Sequence, residues 1–311
     1  MPTATESMRR LRHALGFALA LGLAPISAAW AQVVFACEPE WAALVRVLLP
    51  SAQLHVATHA QQDPHHIEAR PALIAQMRAA DLAVCTGAGL EDGWLPLLQQ
   101  KSGNPKVQNR QPGMFFAAQG QTLIGAGASG VNPFAGDVHP EGNPHLHANP
   151  QRLLLVARQL SQRMTQLWPD QAPAIEQRLN AFEPRWQNLI DQWQARVRHL
   201  RGQNVAAQHT HFAYWWEWLQ IRQVADLEPK PGLSPTPAHL QQIAQQLRAA
   251  RPPVLGLAIA SHQDPRASRW MAQQVPRLAV WTWPATVTQH NEDGLRTWFE
   301  GMIADLTRSA P

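Results

Sequence analysis

The sequence predicts an α/β fold of two lobes, each a mainly parallel sheet flanked by helices, joined by a long connecting helix. Three observations carry this expectation. Short apolar runs alternate with amphipathic stretches in the first third of the chain, and a second alternating set fills the last third. Such alternation is what strands covered by helices on both faces produce. Between the two sets lies one long stretch whose apolar residues recur every three or four positions, as on one face of a helix. With 311 residues and 45% hydrophobic content, the chain can bury a core large enough for one big domain or two lobes.

Taken in order, residues 1–31 read as an export signal. Arg9, Arg10 and Arg12 precede an apolar run from about Ala14 to Ile26, and Ala29-Trp30-Ala31 offers small residues for cleavage before Gln32. The run is shorter than the roughly 20 residues that span a bilayer, so the mature chain is expected to be free in the periplasm. The run VFAC, ending at Cys37, is a competing lipidation box, which Phe35 and Gln32 fit poorly. The first lobe is assigned to residues 32–168, with strands in QVVFAC, LHVAT and DLAVC and helices near Trp41 to Leu49 and from Pro71. Cys37 and Cys85 end two of these strands. They can pair if the strands are neighbours with α-carbons about 5.5 Å apart, and otherwise are buried free thiols.

The linking helix is assigned to residues 169–201, on the spacing of Ile175, Leu179, Phe182, Trp186, Leu189, Trp193, Val197 and Leu200. Pro184 is expected to kink or divide it. The second lobe, 202–311, has strands in NVAAQ, VLGLAIA and LAVWTW, with helices near Thr236 to Ala250 and Pro265 to Gln274. The one long irregular segment, Gln119 to Pro150, has the length of a functional loop.

Charge excludes some functions and histidine suggests another. The formal net charge is +4, about +2 once the first 31 residues are removed, and lysine occurs only at Lys101, Lys106 and Lys230. No basic run offers a nucleic-acid surface. The 14 histidines, in contrast, gather in short clusters. DPHHIEARP holds Asp63, His65, His66 and Glu68; GDVHPEGNPHLHANP holds His139, His145 and His147; AAQHTHFAYWW holds His209 and His211. Each cluster sits at a strand end or in a loop before a helix, where open α/β sheets collect their ligand sites. Neutral imidazole is a good zinc ligand, so three such turns can converge on one ion.

At these motifs the chain resembles the metal-binding solute-binding proteins of ABC transporters that import zinc or manganese. The run DPHHIEARPALIAQMRAADLAVCTGAGLEDGWLPLL is similar to that family's first ligand loop with its following helix, strand and turn. The resemblance implies His65, directly after Asp-Pro, as first ligand, His145 of NPHLHANP as second and His209 of QHTHFAY as third. It leaves His66, His147 and His211 as neighbours. It also implies two lobes on a rigid helix, an ABC membrane permease as partner, a zinc ion as transported ligand, and a monomer. Histidine rather than glutamate at position 209 favours zinc over manganese. Relatives usually add an aspartate after the last strand, where this chain has Trp283 and Pro284. His290, Glu292 and Asp293 are the nearest replacements, with water or a further histidine as the alternative. His139 reads as the remnant of a histidine-rich loop. Asp63 and Glu68 are candidates to orient ligand imidazoles, and Glu38 is placed to line the cleft. Trp215, Trp216 and Trp218 read as core.

Two other classes remain in view. Three histidines with an open position also make a catalytic zinc site, yet the sequence has no HExxH or HxHxDH run and no G-x-S-x-G turn, so no enzyme is expected. An exported zinc chaperone or adhesion protein of the same fold would carry the same residues.

Overall fold

The computed structural model describes residues 31–127, 137 and 139–309; the predicted signal segment lies outside them, apart from Ala31. Residues 32–311 form one compact unit built on two four-stranded sheets. The first contains β1 (Val33–Ala36), β2 (Gln53–Val56), β3 (Leu82–Cys85) and β4 (Met114–Phe116) in the order β2-β1-β3-β4. The second contains β5 (Asn204–Ala207), β6 (Arg222–Asp226), β7 (Val254–Ala260) and β8 (Ala279–Trp283) in the order β6-β5-β7-β8. Every pairing is parallel. Both sheets therefore reverse their strand order beside the first strand, which opens a crevice at the carboxyl ends of the strands.

The helices are α1 (Pro39–Leu48), α2 (Pro71–Ala79), α3 (Leu95–Ser102), α4 (Pro150–Leu167), α5 (Ala172–Val197), α6 (Ala213–Leu219), α7 (Pro237–Ala249), α8 (Arg266–Gln274) and α9 (Glu292–Ser309). Proline opens α1, α2, α4 and α7, where its missing N–H costs nothing. Asn149 caps α4 by accepting from Gln151 N at 2.9 Å, and Thr236 caps α7 by accepting from His239 N at 3.3 Å.

The connecting helix α5 runs 26 residues and is not divided at Pro184. Pro184 lies on the exposed face, as does Asn180 four residues before it, so the carbonyl that loses its donor turns to water. The opposite face is the predicted one. Ile175, Phe182, Trp186, Trp193 and Val197 are buried, with Leu179 and Leu189 partly buried beside them. Trp186 lies 5.4 Å from Phe182 and 5.9 Å from Phe299 of α9, while Trp193 lies 5.3 Å from Phe299, by ring centres. One buried cluster thus runs from the first sheet through α5 to the second.

Cys37 and Cys85 form a disulfide with α-carbons 4.8 Å apart. The pairing follows from β1 and β3 being adjacent, and it occupies the sulfur that a lipid anchor at Cys37 would need.

Candidate metal centre

The three histidine clusters meet in the crevice at the strand ends. His65 stands in the loop after β2, and Trp94 Nε1 donates to Pro64 O at 2.9 Å to hold that loop. His145 precedes α4; its N–H donates to Asn143 Oδ1 at 2.9 Å, and Asn143 Nδ2 donates to Thr210 O at 2.9 Å. That pair of bonds ties the His145 turn to the turn after β5 that carries His209. Ring centres are 5.4 Å apart for His65 and His145, 5.5 Å for His145 and His209, and 6.2 Å for His65 and His209. Imidazoles on one tetrahedral zinc, bound at about 2.05 Å, have centres about 5 Å apart. The trio is thus close to ligand spacing, but wider.

Among the described residues, only Cys37, Cys85 and Glu91 bring three potential ligand atoms within 4.8 Å of one another, and there the sulfurs are joined in the disulfide. The histidine nitrogens must draw together by ring rotation or lobe closure before they can share an ion.

Carboxylates hold two of the rings by their outer nitrogens. His65 Nδ1 lies 2.7 Å from Asp63 Oδ1, and His209 Nδ1 lies 2.8 Å from Glu228 Oε2. With Nδ1–H donated, each ring carries its lone pair on Nε2, the arrangement seen when imidazole binds a metal. Burial alone would raise the Asp63 carboxyl, but its hydrogen bonds with His65 hold it well below the usual carboxylate range. His145 is 1% exposed, and neither of its ring nitrogens has a hydrogen-bond partner. Burial, reinforced by His211 and His65, pushes its pKa well below the ordinary histidine value. It is therefore neutral near pH 7, with a lone pair to offer.

His139 is the fourth imidazole of this group. Its Nε2 lies 3.2 Å from His65 Nε2 and its ring centre 5.3 Å from that of His65. Two nitrogens on one tetrahedral zinc are about 3.3 Å apart. Burial and then His65 lower its pKa to about 4.

The other candidates separate into two sets. His147 and His211 are buried directly behind His145, and Glu38 is buried too, hydrogen-bonded to Thr86 at 3.0 Å rather than lining the ion's position. Glu68, His290 and Asp293 are not brought together with the three rings. Glu68 is exposed and makes no bond to a ligand ring; it points outward one turn before α2. His290 is exposed near Arg46, and Asp293 is an exposed residue of α9 paired with Arg296 at 3.2 Å. Glu292 is likewise taken up by Arg185 at 2.7 Å. The loop after β8 approaches the site through backbone instead, at Ala285. His66 is 72% exposed and lies 3.8 Å from Asp137. Sequence reasoning missed Glu228 and Asn143. Glu228 follows β6, a strand it also missed; a carboxylate before a proline at a strand end was the available signal.

The profile of the family described as the periplasmic component A of a zinc-uptake complex, ZnuA, matches residues 34–308. The chain belongs to the ZnuA family. Members and neighbours at the level of fold include ZnuA itself, with a TM-score of 0.74 at 17% identity over 90% of this chain and 100% of that one. FpvC of Pseudomonas aeruginosa, solved in complex with Mn2+, gives 0.72 at 16% identity over 89% and 98%. The laminin-binding protein Lmb of Streptococcus agalactiae, a bifunctional protein with adhesin and metal-transporting activity, gives 0.68 at 18% over 88% and 98%. By sequence, the zinc-binding lipoprotein AdcA of Streptococcus pneumoniae is 21% identical over 202 residues, which are 64% of this chain. Those residues span 39% of the length of AdcA. Like the ZnuA fold, this chain carries two parallel sheets flanked by helices and joined by a long helix.

Proposed function

We propose that the chain is an extracytoplasmic solute-binding protein that captures zinc between its lobes and delivers it to the membrane permease of an ABC importer. The observation that carries this reading is the convergence of His65, His145 and His209, two of them with Nδ1 tied to a carboxylate. His139, 3.2 Å from His65 between ring nitrogens, is the fourth ligand. It takes the place that relatives fill from the loop after the last strand. A ligand set of imidazoles alone favours zinc over manganese, which prefers oxygen donors. Asp63 and Glu228 supply two negative charges beside the ligands and so balance a dication in a buried place. Export to the periplasm follows from the basic and apolar segment ahead of Gln32.

Competition with a chelator of known affinity at pH 7.5 and pH 5 tests the reading. Tight binding of zinc is expected at pH 7.5 and much weaker binding at pH 5, because protonated imidazole cannot bind metal. His145→Ala and His209→Ala are each expected to weaken the tight site far more than His147→Ala or His211→Ala. Equal affinity at the two pH values, or equal losses in all four variants, defeats the assignment.

A further inference from the structure

His139 comes from the first lobe, yet the chain on either side of it is bonded to the second. Ahead of it, Asp137 N donates to Pro231 O at 2.8 Å. The Asp137 side chain is packed on Gly232, where an added methyl group would stand 2.8 Å from Asp137 Cγ and 3.0 Å from its nitrogen. After it, Asn143 Nδ2 donates to Thr210 O at 2.9 Å, and Tyr214 Oη donates to Asn143 O at 2.6 Å. Gly142 N donates to His139 O at 3.1 Å and holds the turn between the two anchors. The His139 ring meets His65 of the first lobe, with 3.2 Å between their Nε2 atoms.

We propose that Asp137 is a positioning residue for zinc capture: clasped on the Glu228–Gly232 turn, it sets His139 beside His65 and fixes its place relative to His209. Two residues of chain reach at most about 7 Å, so an anchor at Asp137 restricts where His139 can stand. Metal ligation needs that restriction, because ligand distances must fall within about 0.2 Å of their ideal values. The turn is shaped for the clasp. Gly232 has φ +77°, which favours glycine, and a side chain there would take the space of Asp137. His66 does not compete as the anchor. It is 72% exposed and 3.8 Å from Asp137, which is itself 18% exposed, and such a surface pair contributes little.

The same turn orients His209. Glu228 Oε2 accepts from His209 Nδ1 at 2.8 Å and from Gly232 N at 2.8 Å, and Gly232 is the residue that Asp137 covers. A continuous frame therefore runs from the His209 ring through Glu228 and Gly232 to Asp137, two residues before His139. The second anchor ends on Thr210, the neighbour of His209. His139 and His209, distant in sequence and drawn from different lobes, are thus set by one piece of the second lobe, and His65 meets them from the first.

This role rests on the reading of His139 as fourth ligand, and the experiment keeps the two apart. Zinc affinity is measured by chelator competition at pH 7.5 for wild type, His139→Ala, Gly232→Ala and Asp137→Pro, and for the last two combined with His139→Ala. Gly232→Ala crowds Asp137, while Asp137→Pro removes the N–H that Pro231 accepts and leaves the turn untouched. Each is expected to weaken zinc binding about 10- to 100-fold, and to change it less than about twofold once His139 is alanine. Hydrogen exchange at amide 137 is followed in the metal-free chain; it is expected to be slow in wild type and at least about 10-fold faster in Gly232→Ala. Losses that persist without His139 show that the turn acts through Glu228 and His209 alone, and overturn the proposal. Wild-type affinity in either variant, or an unprotected amide 137 in wild type, overturns it as well and leaves the capture site standing. Unchanged affinity in His139→Ala removes the ligand to be positioned, and overturns the proposal while sparing the other three histidines. Absence of tight zinc in wild type overturns the capture reading, and the positioning role with it. The exchange rate of wild type needs no variant, so a misfolded variant does not leave the question open.

Discussion

Glu228 offers a sharp test of how the site is prepared for metal, because replacing it with glutamine keeps the shape and removes the charge. In the native chain Glu228 Oε2 accepts both from His209 Nδ1 at 2.8 Å and from Gly232 N at 2.8 Å, and the two side chains are 7% and 13% exposed. The carboxylate fixes the ring orientation, places the lone pair on Nε2 and strengthens that nitrogen as a ligand. In Glu228→Gln the amide oxygen can still accept one N–H, but the charge assistance is gone and the amide nitrogen offers a competing donor to Nδ1. Losing such a partner typically weakens metal affinity about 10- to 100-fold, which is about 1.4 to 2.7 kcal/mol. The burial of both groups puts the expected loss in the upper half of that range. Chelator competition at pH 7.5 measures it, with the exposed Glu68→Gln as a variant that changes nothing. Thermal unfolding of the metal-free chain confirms that the fold survives. An affinity within twofold of wild type for Glu228→Gln refutes the idea that a carboxylate prepares His209.

Three further outcomes are expected. Replacing Cys37 and Cys85 with alanine opens a loop of sequence separation 48; loop-closure entropy sets the loss near 4 kcal/mol, read by urea unfolding, and a loss below about 1 kcal/mol refutes the estimate. Gly113→Ala drives a new carbon against Lys106 O and Asp81 O, at 2.5 and 2.6 Å, and costs about 1 to 3 kcal/mol in the same assay; a neutral result shows that the β3–β4 approach is soft. Burial raises the Glu91 carboxyl to about 7, above its ordinary value of 4.5. Its contribution to stability is therefore present below pH 4.5 and lost as pH rises through 7, by a quantity on the order of 3 kcal/mol. The stability difference between wild type and Glu91→Gln should fall across that window, and a difference independent of pH contradicts it.

The sequence made the fold legible where apolar runs were strong and hid it where a strand was short or polar. β1, β2, β3, β5, β7 and β8 carry runs such as VVFA and VLGLAIA and were read directly. β4 and β6 are edge strands, as are β2 and β8, but they lack the apolar runs of LHVAT and LAVWTW. With one side unpaired, β6 needs no continuous apolar run and reads RQVAD, half exposed, while β4 has only three residues. The histidine loops were legible for another reason. Asp-Pro-His follows β2, Asn-Pro-His precedes α4 and Gln-His-Thr-His follows β5, so each imidazole stands in a loop beside a regular element. Glu228 and Glu40 were not legible, since a single carboxylate in a loop or first helical turn looks like any solvated acid until a partner 19 or 107 residues away is placed beside it.

The loop after β8 bears on the proposal that His139 is the fourth ligand. The resemblance implies a carboxylate from that loop, but here its Ala285 carbonyl is engaged by His147 and His211, and Thr286 is engaged by Glu40. The buried histidines thus pin the loop by its backbone, in a register that turns no acidic side chain toward His65. His139 approaches His65 from the loop beside Gly89. A side chain added at Gly89 would meet His139 Nδ1 at 3.0 Å, and Gly89 adopts φ +82°, which favours glycine. The glycine therefore leaves room for His139 beside His65, as the proposed ligand role requires. Gly89→Val should push His139 away and strain the turn, lowering zinc affinity toward that of His139→Ala. The double variant should bind no more weakly than either single one. If the two losses add instead, Gly89 acts on the site by some route other than His139.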